Sequence, residues 1–172
     1  RAVIEKVAAM AKWNAGAPVG SGRGCGIAFA RYKNRAAYSA VVVELSVKDD
    51  IRLHHVWCAT DAGLVVNPDG VINQLEGGIL QSASWVLKEQ VRFDNGIASF
   101  DWETYPVVKF SEVPEIDIAL INTKDEVPLG VGEVTAGPTA AAIGNAVSHA
   151  LGARIRDLPL TRERIMAALL KE

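Results

Sequence analysis

Two glycines lead to a carboxylate in Gly130-Val131-Gly132-Glu133, just before a predicted helix. Glycine has no Cβ, so the backbone there can lie directly against a ligand. The N-terminus of the following helix carries a partial positive charge, which favours the ionised form of Glu133. A general base needs a deprotonated group in a fixed position. The spacing alone fits an exposed glutamate that starts a helix at least as well, because short glycine motifs match by chance.

Polar and glycine positions share one face of an earlier predicted helix. Gln74, Gly78 and Gln81 recur at helical spacing, offset from the apolar stripe of the same helix. A glutamine amide offers both a donor and an acceptor, which suits a polar cofactor. Inside a helix, Gly77 and Gly78 each cost roughly 0.5–1 kcal/mol relative to alanine. Something bulky is therefore expected to approach them, and the sequence favours another helix or strand over a ligand.

The remaining reactive residue types are not grouped as a metal site. Cys25 and Cys58 belong to no CxxC or Cys/His cluster. His54 and His55 alternate along a predicted strand, so they are expected on opposite faces, and His149 stands alone. We therefore predict that this chain builds no metal site by itself, and we interpret all of these residues as structural or surface positions.

The glycine-rich segment Ala15–Gly24 is predicted to be a flexible loop. Within it, Gly22-Arg23-Gly24 fits an anion site or a tight turn before a strand, and the turn is favoured. The segment is not the dinucleotide-binding fingerprint, because no strand precedes it and its glycine spacing differs.

Composition and charge limit the possible partners. Of 172 residues, 49% are hydrophobic and 22% are charged, which is typical of one globular domain or of two small subdomains sharing a core. A net charge of -2 provides no general attraction to nucleic acid. The apolar stretches are far shorter than the ~20 residues that a membrane span needs. Neither nucleic acid nor a membrane is therefore an expected partner.

Periodicity predicts an α+β fold with mixed or antiparallel sheets, β-hairpins and two to four packing helices. The predicted helices run from Arg1 to about Trp13, from Pro68 to about Leu87, from a first turn containing Pro138 to a stop at Gly152, and from a cap at Thr161 to near Leu170. The predicted strands are Ile27–Tyr32, Tyr38–Val47, Ile51–Ala59 and Ile116–Ile121, with a second hairpin over Val91–Phe100. Asn67 is expected to cap the second helix, with Pro68 in its first position.

Several short motifs occur in an order that resembles the xanthine dehydrogenase/aldehyde oxidase family, and within it the large (beta) subunit of isoquinoline 1-oxidoreductase-like enzymes. They are Cys58–Asp69, Gln74–Ile79, Thr104-Tyr105-Pro106, Gly130–Glu133 and Arg154–Leu160. Each is weak alone, and their common order carries the resemblance.

The resemblance implies a molybdenum–molybdopterin cofactor, in bacteria usually the cytosine dinucleotide form. It implies oxidative hydroxylation of an aldehyde or an N-heteroaromatic carbon with oxygen from water, and a glutamate at the position of Glu133 that takes a proton. Gln74 would lie near the metal's oxo group, and Gly132 would let the backbone pass close to the metal. Gln74, Gly132 and Gly78 are therefore the expected cofactor contacts.

The resemblance also implies partners. Electrons leave through a small subunit with [2Fe–2S] clusters. Large subunits of the family are several times longer, so residues 1–172 are expected to form the C-terminal part of a molybdopterin-binding catalytic domain, as a fragment of a much longer chain. Alone it is expected to be inactive, and to expose an apolar or glycine-rich surface where the remainder of the large subunit docks. The alternative is a non-catalytic scaffold or interaction domain related to the family.

Overall fold

The computed structural model describes residues 1–15, 17–18, 20–121 and 123–170, so Gly16 and Val19 of the predicted loop lie outside the described residues. The helices are α1 Ala2–Met10, α2 Pro68–Leu87, α3 Ala136–Leu151 and α4 Arg162–Leu169. The strands are β1 Arg23–Arg31, β2 Tyr38–Val47, β3 Ile51–Asp61 and β4 Glu115–Ile121. A single 3₁₀ turn at Tyr32–Asn34 joins β1 to β2.

The strands form one mixed sheet in the order β1-β2-β3-β4. β1, β2 and β3 are successive antiparallel neighbours, with Val41 paired to Cys58 at the centre. β4 runs parallel to β3, with Ala59 paired to Ala119. A parallel pair needs a long crossover, and α2 together with the segment after it provides that connection. The predicted α+β class with a mixed sheet is confirmed.

The core lies on both faces of the sheet, because β2 is buried from Ser39 to Val43 without interruption. On one face, Val41 and Val43 pack in a cluster with side chains of α2 and α3. On the other face, Val42 packs with Val3 and Val7 of α1. A strand covered on both faces reads as a continuous apolar run rather than an alternating one, which is the pattern of β2.

A very close approach between elements joins β1 to α3. A Cβ added to Gly24 would lie 1.9 Å from the carbonyl oxygen of Ala146, and one added to Gly26 would lie 2.1 Å from that of Ala142. Ala142, Ala146 and Ala150 form the buried stripe that α3 turns toward the strand. Small residues on both sides let the helix backbone rest directly on the strand backbone. This contact fixes the position of α3.

The predicted caps of α2, α3 and α4 form, whereas α1 ends at Met10, before the predicted end at about Trp13. The Asn67 side chain accepts a hydrogen bond from the Gly70 amide at 3.1 Å, and Pro68 occupies the first helical position of α2. Gly152 ends α3 in the left-handed conformation with φ 75°, which glycine adopts at little cost. Thr161 caps α4 by accepting from the Arg164 amide at 3.5 Å.

The predicted second hairpin over Val91–Phe100 forms only in a short version and adds no strands to the sheet. The turn itself forms, because the Asp94 amide donates to the Gly96 carbonyl at 2.9 Å. Beyond that turn, Phe93 and Ile97 form an isolated antiparallel bridge, and the Ala98 amide donates to the Arg92 carbonyl at 2.8 Å. The flanking apolar side chains are exposed rather than packed on a core, and an isolated hairpin is marginal in water.

The first glycine loop is tied to α3 over its described part. The amides of Gly20 and Gly22 donate to the carbonyls of His149 and Ala150 at 2.9 Å and 3.0 Å. Arg23 opens β1 and pairs with Glu44 at 2.8 Å, so the strand begins inside the predicted turn and before the predicted strand start at Ile27. None of the helices formed by the described residues has the length and apolar character that crossing a bilayer requires.

We expect Gly26→Ala to lower the free energy of unfolding by about 1–3 kcal/mol, because its methyl group would overlap the α3 backbone. Urea denaturation followed by circular dichroism measures the change. Gly144→Ala, inside α3 where an added Cβ meets nothing within 4 Å, is the matched control. It should raise the free energy of unfolding by up to about 1 kcal/mol, and an equal response of the two variants would contradict the close β1–α3 contact.

Candidate functional site

Two hydrogen bonds bring the chemistry-bearing residues into one region. The Gln74 side chain of α2 donates from Nε2 to the carbonyl oxygen of Gly132 at 2.9 Å. The phenol of Tyr32, in the turn after β1, donates to the carboxylate oxygen Oε2 of Glu133. The loop before α3 is therefore held from α2 and from the β1–β2 turn. Gln74 and Glu133, which the sequence predicts at a common site, lie at the same loop.

The loop combines a buried anchor with an exposed functional group. Val134 is 1% exposed and packs in a cluster with Ala62, Val65 and Leu75, whereas Glu133 is exposed. The carbonyl of Glu133 accepts from the amide of Ala136, the first residue of α3, at 3.2 Å. The backbone of Glu133 is thus fixed while its carboxylate faces outward. A base needs this combination of a fixed position and an accessible acceptor.

Gly78 is required by packing against this loop. A Cβ at Gly78 would lie 2.4 Å from Oγ1 of Thr135, and Thr135 is 1% exposed. At Gly77, the preceding residue of the same helix, an added Cβ meets nothing within 4 Å. The bulky neighbour expected near these glycines is therefore the loop that carries Glu133. A contact between Gly78 and a cofactor stays a prediction.

Gly130 and Gly132 border open space. A Cβ added at either position meets nothing within 4 Å. Packing within the described residues therefore does not explain why glycine stands there. The space, the Gln74 amide and the Glu133 carboxylate fit a polar group that approaches the backbone from outside. The predicted cofactor fits this donor set.

Tyr32 is the member of the site that sequence reasoning missed. The hydrogen bond to Glu133, with a smaller contribution from burial, raises the pKa of the Tyr32 phenol above its ordinary value. The phenol therefore remains protonated at neutral pH and keeps its donor role. Tyr32 stands at the end of a predicted strand, far from Glu133 in the sequence, and no spacing signal connects the two.

Histidines and cysteines contact neighbouring groups of the fold. His149 accepts from the Cys25 amide at 3.0 Å through Nδ1, and Cys58 is buried. The His55 ring stacks on Trp57 with centroids 3.9 Å apart. Over the residues that the structure describes, no group of three or more His, Cys, Asp or Glu side chains is arranged to hold a metal ion.

A cavity of about 710 Å³ lies away from this loop. It opens between the β2–β3 turn and α4, and its lining includes Lys48, Arg52, Lys88 and Glu112. Neither Gln74 nor Glu133 is among its lining residues. The Glu133 loop is thus an open surface rather than the wall of this cavity.

Comparison with known proteins adds independent evidence. The molybdopterin cofactor-binding domain, as a family, matches residues 4–114, which include Gln74 and Gly78. The chain is 43% identical over 157 residues to the B subunit of nicotinate dehydrogenase from Pseudomonas putida, covering 86% of this chain and 13% of that protein. It is 35% identical over 164 residues to the beta subunit of isoquinoline 1-oxidoreductase from Brevundimonas diminuta, covering 92% of this chain and 21% of that protein.

The fold also matches a solved structure. The crystal structure of quinoline 2-oxidoreductase from Pseudomonas putida 86 superposes with a TM-score of 0.70 at 28% identity. The match covers 79% of this chain and 19% of that chain. The chain thus spans between 13% and 21% of the length of these relatives.

We expect Gly78→Ala to destabilise the protein by about 1–3 kcal/mol relative to Gly77→Ala, because only the first methyl group would meet the buried Thr135. Both glycines are inside α2, so the gain in helix propensity is the same and cancels in the comparison. Chemical denaturation of the pair measures the difference. Equal stabilities would show that Thr135 does not press on Gly78.

Proposed function

The chain belongs to the molybdopterin cofactor-binding domain family, and on this basis we propose that it is the C-terminal portion of a molybdenum hydroxylase large subunit, with Glu133 as its general base. The membership confirms the xanthine dehydrogenase-type family predicted from the order of the motifs. The observation that supports the proposal most directly is the contact of Gln74 with Gly132, the residue before Glu133. It joins two segments that the resemblance assigns to one cofactor site.

Gln74 and Gly132 are the residues proposed to hold the cofactor, and the absence of a side chain at Gly78 leaves room for Thr135 at the end of the loop that contains Gly132. Molybdenum–molybdopterin, expected in the cytosine dinucleotide form, supplies a Lewis-acidic centre that accepts two electrons when it is bound. Hydroxylation replaces a C–H bond by a C–OH bond with oxygen from water, and it releases two electrons and two protons. Glu133 takes one of these protons from the water-derived hydroxyl group, because a hydroxyl group that keeps its proton is a poor nucleophile.

The proposed substrate is a small N-heteroaromatic compound or an aldehyde. Three relatives are named for nicotinate, isoquinoline and quinoline, which are all N-heteroaromatic. Ring nitrogen withdraws electrons from the neighbouring carbon and so favours attack by oxygen. These names favour the N-heteroaromatic class for this chain.

The proposed partners are the remainder of the large subunit and a small subunit with [2Fe–2S] clusters, to which the electrons pass. Phe93, Phe100, Trp102 and Phe110 are between 75% and 99% exposed in the segment between α2 and β4. Large exposed aromatic side chains in one segment mark an interaction surface. Since this chain spans only 13–21% of the matched relatives, we assign this surface to the remainder of the large subunit.

Glu133→Gln in the full-length enzyme should reduce hydroxylation by at least roughly 10²-fold, because the amide cannot accept the proton. Molybdenum and pterin contents should match those of the unmodified enzyme. Turnover measured under saturating substrate, with metal analysis in parallel, tests both expectations. Glu126→Gln, another exposed glutamate of the chain, serves as the control and should retain turnover. Near-normal turnover of the Glu133 variant would favour the non-catalytic scaffold instead.

Trp102→Asp should leave the stability of the 172-residue chain within about 0.5 kcal/mol, because its side chain is 80% exposed there. In the full-length subunit the same change should lower the melting temperature, since it would bury a charge at the docking surface. Thermal denaturation of both proteins measures the contrast. Glu103→Gln, at the neighbouring exposed residue, should change neither the stability of the 172-residue chain nor the melting temperature of the full-length subunit. An unchanged melting temperature of the full-length subunit carrying Trp102→Asp would contradict the docking proposal.

A further inference from the structure

We propose that Tyr32 is a positioning residue for Glu133, which holds carboxylate oxygen Oε2 so that Oε1 is directed toward the proton to be removed. The proposal rests on the assignment of Glu133 as the base. It starts from the hydrogen bond that the Tyr32 phenol donates to Oε2 of Glu133. A carboxylate with one oxygen held has one oxygen left for the reaction and little freedom to rotate.

Tyr32 is itself held rigidly, as a positioning residue must be. Its amide donates to the carbonyl of Ala37 at 3.0 Å, and its carbonyl accepts from the amides of Arg35 and Ala36 at 3.2 Å and 2.9 Å. The turn that follows places Lys33 and Asn34 in the left-handed region, with φ 50° and 55°. Conformations of this kind persist only where the surrounding structure fixes them.

The ring of Tyr32 is anchored in the same cluster as the loop that it contacts. It packs against the buried group that contains Ala37, Leu75 and Val134. Val134 follows Glu133 directly, so the phenol and the carboxylate are carried by neighbouring parts of one packed unit. The hydrogen bond therefore links two chain segments that already pack together in one cluster.

The charges around the pair keep the Tyr32 phenol protonated, so that it remains the donor. The hydrogen bond to Glu133 is the main cause that raises the pKa of this phenol, because the bond is lost when the phenol ionises beside the carboxylate. Lys33, whose ammonium lies 5.2 Å from the centroid of the Tyr32 ring, acts in the opposite direction and lowers that pKa by a smaller amount. The phenol therefore holds Oε2 as a donor at neutral pH.

The chain contains a matched bond for comparison. Tyr105 donates to Oε2 of Glu89 at 2.8 Å, and that bond raises the pKa of the Tyr105 phenol in the same direction. Glu89 follows the C-terminal end of α2, whereas Gln74 lies in the N-terminal half of that helix. Tyr105→Phe thus removes the same chemical interaction at another place.

In the full-length enzyme, Tyr32→Phe should lower kcat about 10-fold and leave KM within about twofold, since it removes one hydrogen bond to a charged group. Tyr105→Phe should move neither quantity.

A second measurement does not depend on turnover. Hydrogen exchange of the peptide covering 128–137, followed by mass spectrometry in the cofactor-free full-length subunit, should accelerate in Tyr32→Phe and not in Tyr105→Phe. This reports whether Tyr32 holds the loop when no cofactor is bound.

The outcomes separate this proposal from the assignment on which it rests. If Glu133→Gln is inactive while Tyr32→Phe keeps normal kcat and exchange, the role of Tyr32 is overturned and the base assignment stands. A Tyr32→Phe variant that raises KM without lowering kcat would also overturn it, since that result indicates general loosening of the site. Normal turnover of Glu133→Gln would overturn both.

Discussion

The close contact between β1 and α3 is the constraint on which the rest of the structure depends. Gly24 and Gly26 present a strand surface without side chains, and the alanine stripe of α3 rests directly on it. A larger residue on either side would move the helix axis outward. Because the loop that carries Glu133 leads straight into Ala136, the first residue of α3, the position of the helix decides where that loop ends.

The loop is then fixed from two further directions. Gln74 binds its backbone at Gly132, and Tyr32 binds the side chain of Glu133. Val134 anchors the same few residues in a buried cluster. Three short-range contacts thus hold an exposed carboxylate in one place, although nothing in the described chain encloses it. This arrangement fits the proposed role of Glu133 as a base.

The sequence predicts a structural feature correctly where the interactions that determine it join residues close together in the chain. The cap at Asn67 and the stop at Gly152 involve neighbouring residues, and the sequence located both. The turn at Asp94–Gly96 also formed as predicted, yet its flanking strands did not, because a hairpin needs a surface to pack on. Gly78 was expected to face a bulky neighbour, but the sequence had no means of identifying it as Thr135.

The amino-acid sequence alone predicted the main elements, their caps and the mixed α+β class. The order of its motifs also predicted the family. Three contacts are visible only in the folded chain. They are the hydrogen bond of Gln74 to Gly132, the approach of α3 to Gly24 and Gly26, and the hydrogen bond of Tyr32 to Glu133. The difference arises because secondary structure follows from interactions a few residues apart. Contacts between distant segments depend on how the packed elements are placed relative to one another, and no local pattern records that placement.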